Sequence, residues 1–329
     1  MVNLLKDLID IPSVSGNEAE IGRYLLRLFQ EKGYKTKVQP VREENFNVLA
    51  MPSDKVKLLF CTHMDTVAPF APFSMQEDAV LGRGSCDAKG QIVAMLLALE
   101  QLRAEDIHDV GLLVVVEEES TSMGARTAAQ LDVGSEYVIV GEPTENKLAI
   151  GQKGVYAFTL TAFGTGGHSS MPDKGESAVH KLIKIASEWI NSDWGEDPVL
   201  GKSLVNFGTF HGGVGMNVLA PEACTDGIFR VATSLHEIRR KISESLTDDI
   251  TIEIKSESEP QHMISIPDFE TTIVGFGSDA AHLRPLGEIV MYGAGSISVA
   301  HRESERITLA ELERAVHDYA RIAKYLLQK

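Results

Sequence analysis

Residues 112–119 read LLVVVEEE: five uninterrupted apolar residues, then three glutamates with no spacer. An apolar run of that length without alternation fits a strand buried on both faces, which is the habit of parallel sheets sandwiched between helices. The flanking sequence repeats the pattern. VKLLFC at 56–61 and YVIV at 137–140 are further apolar runs, and Gly90 to Leu102 is apolar nearly all round, as a helix packed on several sides would be. Upstream, Ser15 and Glu18 have capping-box spacing ahead of an apolar stripe of Ile21, Leu25, Leu28 and Phe29, with Gly33 as its stop. Strands separated by helices predict a parallel sheet covered on both faces.

After Lys153 the periodicity changes. VYAFTLTA at 155–162 alternates strictly, placing Tyr156, Phe158 and Leu160 on one face. A helix with Ala178, Leu182, Ile185 and Trp189 on its stripe follows. Two strands come next, at about 203–210 and 223–231, then a helix opened by Ser234 and Glu237, and the alternating strand ITIEI at 250–254. The order βαββαβ predicts a ferredoxin-like α+β domain with one sheet face open. The α/β pattern resumes near 262, and Thr308 with Glu311 opens a last helix through a capping box. The expected fold is therefore α/β: a three-layer α/β/α domain over 1–153 and 259–329, with an α+β domain inserted at 154–258.

The chain has 329 residues, 47 acids against 31 Lys and Arg, and a net charge of −16. Such a surface repels phosphate backbones and argues against nucleic acid as a partner. Acids interrupt the apolar residues at the N-terminus, and no window holds the roughly 18 apolar residues of a membrane span. Three cysteines without paired spacing fit a reducing compartment. The expected location is the cytoplasm.

Chemistry-bearing residues cluster where apolar strands end, the usual place for sites in open α/β sheets. In FCTHMDTV, His63 and Asp65 are two apart and point the same way in extended chain. A carboxylate beside an imidazole suits a metal ligand, and equally a salt bridge. In GRGSCDAKG, Asp87 precedes a long helix, so an N-cap is the competing reading. The cysteines beside these motifs, Cys61 and Cys86, read as small buried hydrophobes. In VVVEEESTSMGA the glutamates crowd one strand end, which is costly unless a cation lies among them. A solvated charge run is the alternative. Glu142 follows YVIV in VIVGEPT, and His301 lies in GAGSISVAHRESE. Taken jointly, His63, Asp87, Glu118, Glu119, Glu142 and His301 make the mixed His/carboxylate donor set of catalytic zinc.

The ordered motifs HxDT, GRGxxDxKG, EE followed by SxGA, GEPT, GHSSMP and AHxxxE resemble the M20 metallopeptidases, a group that spans acetylornithine deacetylase, succinyl-diaminopimelate desuccinylase and carboxypeptidase G2-like enzymes. The resemblance covers almost the whole chain. The M28 aminopeptidases share the ligand order but lack an inserted βαββαβ domain. The resemblance implies a zinc-peptidase-like catalytic domain and two divalent metals, zinc first, with cobalt or manganese as alternatives. One metal would take His63 and Glu142, the other Glu119 and His301, with Asp87 shared between them. Asp65 would support His63, Glu118 would be the general base, and the Asp87–Ala88 peptide would be cis. The inserted domain would act as lid and homodimer interface. It would supply His168 of GHSSMP as an oxyanion donor to the other subunit, Asn217, and Arg230 as a carboxylate clamp, while Gly295 lets backbone approach substrate. Many relatives carry an acid two residues before that arginine, where this chain has Ile228, and Ala294 replaces the usual proline beside Gly295. The activity expected first is deacylation of an N-acyl amino acid, with a dipeptidase or carboxypeptidase as the alternative.

Overall fold

The computed structural model describes residues 1–329 and divides into two compact units, Met1–Ile150 with Met263–Thr272 and Ser278–Lys329, and Gly151–His262 with Ile273–Gly277. Expectation placed the second stretch at 154–258.

In the first unit the apolar runs form strands β1 (Leu58–His63), β2 (Val110–Val115) and β3 (Tyr137–Gly141), joined by β4 (Glu288–Tyr292). β1 lies between β2 and β3, and β4 adds beyond β3, all parallel. The sheet as a whole is mixed, which corrects the parallel expectation. Lys35–Arg42 and Asn45–Met51 form a hairpin that pairs antiparallel with β2, and Ala149 pairs antiparallel with Met291 of β4. The outer strand Lys35–Arg42 is exposed or half-buried along its length, as suits a sheet edge, whereas Asn45–Met51 is buried nearly throughout.

Both faces of the centre are buried. Leu58, Phe60, Leu112, Val114 and Ile139 join one core, while Leu59, Cys61, Leu113, Val115, Val138 and Val140 are equally enclosed on the other side. Helix α1 (Lys89–Ala104) packs against α2 (Leu309–Leu327) and against β1, β2 and β3. Its all-round apolar sequence follows from burial on several sides. α2 begins with the full Thr308–Glu311 capping box. Short helices Met123–Ala128 and Ala280–Leu283 pack on each other and on the sheet. No helix is long and apolar enough to cross a membrane.

The second unit has the chain order βαββαβ. Its antiparallel strands lie in the order Leu204–Phe207, Glu222–Val231, Gly154–Phe163, Ile250–Ser258. Helices Ala178–Asn191 and Leu235–Ser245 complete it, and Ser234 caps the second of these by accepting the Glu237 N–H. Tyr156, Phe158 and Leu160 form its core with Leu182, Ile185, Trp189 and Phe229. Phe158 stands opposite Gly227, where an added Cβ would lie 2.4 Å from the ring, so only glycine leaves room for it.

Candidate metal centre

The parallel strands deliver their C-terminal ends to one edge of the first unit, and the acids and histidines follow from that. His63 closes β1, Glu117, Glu118 and Glu119 follow β2 within four residues, and Glu142 is the residue after β3. Asp87 and His301 come from loops, the first just ahead of α1.

Asp87 is 5% exposed, and its two oxygens face different histidines. Oδ1 lies 3.1 Å from Nε2 of His63, and Oδ2 lies 3.4 Å from Nε2 of His301. His301 Nε2 also meets Glu119 Oε1 at 2.8 Å. Donor atoms of His63, Asp87 and Glu142 lie within 4.8 Å of one another, as do those of Asp87, Glu119 and His301, and those of His63, Glu118 and Glu119. Asp87 is not an N-cap: Ala88 holds that position, and the Asp87–Ala88 peptide is cis.

Asp65 is fully buried and does more than support His63. Its Oδ1 accepts the Glu118 N–H and its Oδ2 the Glu119 N–H, each at 3.0 Å. Oδ2 also accepts the Ser15 hydroxyl at 2.7 Å, and Oδ1 stands 3.4 Å from His63 Nδ1. Ser15 and Glu18 therefore do not form the expected capping box. Helix Ala19–Glu31 has no side-chain cap, and Glu18 Oε1 instead accepts the N–H of Gly16 and of Glu117. Glu117 is a structural member of the glutamate run, buried at φ +59° with Thr121 donating to it.

The electrostatics follow from this crowding. Burial, then the charge of Glu142, pushes the Glu118 carboxyl well above the usual carboxylate range. Burial does the same to Glu142, opposed by His63. Burial works against a charged His63, yet its contacts to Asp65 and Asp87 outweigh that and raise it well above the ordinary histidine value. Contacts to Asp87 and then Glu119 raise His301 to about 10. Four carboxylates crowded with two histidines repel one another unless positive charge lies among them. Oxygen and imidazole donors at such spacing suit a divalent cation, so the donor set fits the metals that the resemblance implies.

Sequence reading missed Ser15, Arg83, Glu305 and Asp279. Glu305 and Arg83 are 1% and 2% exposed and pair at 2.6 Å. Asp279 is buried, and burial pushes its carboxyl up to about 7, with His63 and Ser122 opposing the shift. Arg83, a charged side chain between two glycines, and Glu305, the last residue of AHxxxE, left local hints. Cys61 and Cys86 are buried free thiols, as read. Gly295, at φ +74°, sits where an added Cβ would lie 2.5 Å from Cys86 Sγ.

His168, Asn217 and Arg230 belong to the second unit. His168 pairs with Val218 across a short ladder, Ser169 N–H reaches the Asn217 carbonyl at 2.9 Å, and Ser170 Oγ stands 2.8 Å from His168 Nδ1. Arg230 lies on Glu222–Val231 opposite Leu204 and Val155. Burial alone lowers its pKa, with no acidic group offsetting it.

Fold and donor set define a metal-dependent hydrolase of amide bonds. The sequence profile of peptidase family M20/M25/M40 matches residues 59–325. A peptidase M20 domain-containing protein of Schizosaccharomyces pombe is 34% identical, over 100% of this chain and 85% of its own. A "probable carboxypeptidase" of Emericella nidulans is 32% identical, over 100% of this chain and 90% of its own. Among solved structures, a tripeptidase from Staphylococcus aureus superposes with a TM-score of 0.81 at 21% identity, covering 100% of this chain and 98% of that one. The chain belongs to peptidase family M20/M25/M40, whose peptidases are dinuclear metal enzymes.

Proposed function

We propose that this chain is an exopeptidase that hydrolyses short peptides at the edge of its parallel strands, with Asp87 shared between two divalent ions. The observation that carries the reading is the division of the Asp87 carboxylate, one oxygen toward His63 and the other toward His301. Glu142 completes the donor set with His63, and Glu119 the set with His301. When bound, two divalent ions lower the pKa of water enough to make it nucleophilic near neutrality. Glu118 takes the water's proton and returns one to the leaving amine.

For the substrate, Arg230 is a half-buried guanidinium that no acid compensates. A planar fork of donors matches a substrate carboxylate. An N-acyl amino acid offers the same carboxylate, so Arg230 does not separate deacylase from peptidase. The relatives do favour one side: several curated relatives are named "probable carboxypeptidase", and the deacylase reading placed first by sequence gives way to the peptidase alternative. We also infer that the second unit serves as lid and dimer interface, with Asn217 near substrate, Gly295 admitting its backbone, and His168 donating to the oxyanion of the partner subunit's site.

The test is release of free amine from dipeptides, tripeptides, C-terminally amidated peptides, and N-acetyl and N-succinyl amino acids, with zinc, cobalt or manganese added. Cleavage of free-carboxylate peptides, with amidated ones poor, is expected. Turnover confined to N-acyl amino acids would reverse the substrate reading.

A further inference from the structure

The loop that delivers Asp87 is held by a single side chain from the loop that delivers His301. Segment 82–87 has no regular structure, so its N–H groups need acceptors outside a ladder. The Arg83 N–H goes to the Ala71 carbonyl and the Ser85 N–H to the Gly82 carbonyl, and Glu305 takes the other four. Its Oε1 accepts the N–H of Gly84 at 2.9 Å, of Cys86 at 3.1 Å and of Asp87 at 3.1 Å. Its Oε2 accepts from Arg83 Nη1 at 2.6 Å, and its carbonyl accepts the Gly82 N–H at 3.2 Å. Arg83 Nε in turn reaches the Pro69 carbonyl at 3.2 Å.

We propose that Glu305 is a positioning residue that places Asp87 for metal sharing, by clamping its backbone to the loop of His301. The proposal rests on the reading of Asp87 as the shared ligand. A carboxylate can hold three N–H groups and a guanidinium at once because each of its oxygens accepts more than one hydrogen bond. One of those groups is the N–H of Asp87 itself, so displacement of Glu305 moves the ligand directly. The clamp also spans the two loops whose side chains meet at the 3.4 Å contact between Asp87 Oδ2 and His301. It is enclosed, so water cannot replace a lost acceptor at low cost.

The experiment is equilibrium dialysis of the metal-free chain against Co(II), with bound metal counted and thermal unfolding of the metal-free form followed in parallel. Wild type should bind two ions. Glu305→Gln retains an acceptor oxygen for the N–H groups but loses the charge facing Arg83, and should bind the weaker ion about tenfold to a hundredfold less tightly, the range for partners of metal ligands. Glu305→Ala should lose more. Arg83→Met, which leaves the carboxylate in place, keeps the test open if the Glu305 variants do not fold, and should show a smaller loss in the same direction. Asp318→Asn serves as control, since Asp318 is a buried acid whose side-chain partners Arg314, Arg321 and Tyr292 include none of the proposed ligands. It should lower the unfolding temperature without changing metal affinity. Wild-type Co(II) affinity in folded Glu305 and Arg83 variants, or equal loss in Asp318→Asn, overturns the proposal. Two tightly held ions in Asp87→Asn would instead overturn the shared-ligand reading beneath it.

Discussion

Asp65 Oδ2 accepts the backbone N–H of Glu119 at 3.0 Å, tying the end of one parallel strand to the end of its neighbour. The other oxygen does the same for Glu118. The carboxylate two residues after His63 thus sets the backbone of the glutamate pair as well as the imidazole. Asp65→Asn exchanges one acceptor oxygen for a donor, so one of those N–H groups must face an NH₂. An unsatisfied buried donor costs about 1–3 kcal/mol. The expected result is a loss of that size in urea unfolding, together with reduced kcat. Unchanged stability and kcat would show that the two contacts do not matter.

On the proposed reading, Glu118 acts as base and Glu119 as ligand. Glu118→Gln should keep its metal and lose at least about a hundredfold in kcat, the low end for general acid–base catalysis. Glu119→Gln should lose metal first. Glu118 also lies within donor distance of His63 and Glu119, so the ordering is a real question. Metal analysis beside steady-state kinetics settles it, and the reverse pattern would exchange the two assignments.

Burial, with the charge of Arg126, lowers His282 to about 4. Below the ordinary histidine value near 6.5 the unfolded chain takes up a proton that the folded chain refuses, so His282 lowers stability as pH falls from about 6.5 to about 4. His282→Gln should remove that part of the slope. Urea unfolding of both proteins at pH 7 and pH 5 checks it: the variant should lose less stability between the two, and equal losses would contradict the assignment.

If His168 acts across a dimer, His168→Ala should lose about 10²–10³ in kcat, as removal of one oxyanion donor does, with metal content unchanged. Mixing it with Glu118→Gln should restore activity, because one site of each heterodimer then holds both groups. No recovery after demonstrated subunit exchange would place His168 in its own chain's site or outside catalysis.

Much of the site was legible because strand ends carry it. An apolar run followed at once by His63, by the glutamates or by Glu142 places those groups at one sheet edge whatever the details of packing. Spacing rules see only neighbours along the chain, and there they misled. Ser15 and Glu18 have the separation of a capping box, yet the Ser15 hydroxyl goes to Asp65 and Glu18 to Glu117, partners that only the folded sheet brings near. Glu305 was quoted within a motif without a role, since its work is to accept backbone N–H groups, which leave no trace in residue type. The antiparallel hairpin at the sheet edge was hidden for a related reason: strand direction depends on connections, and apolar content does not encode it.

Asp87, His63, Glu142, Glu119 and His301 are proposed to hold two divalent ions on which peptide hydrolysis depends. Metal analysis of the purified chain before and after chelation, with peptide hydrolysis measured on the same samples, tests it most directly. Two ions per chain are expected, with hydrolysis abolished on their removal and restored by zinc or cobalt. Full hydrolysis by a chain shown to contain no metal would contradict the account.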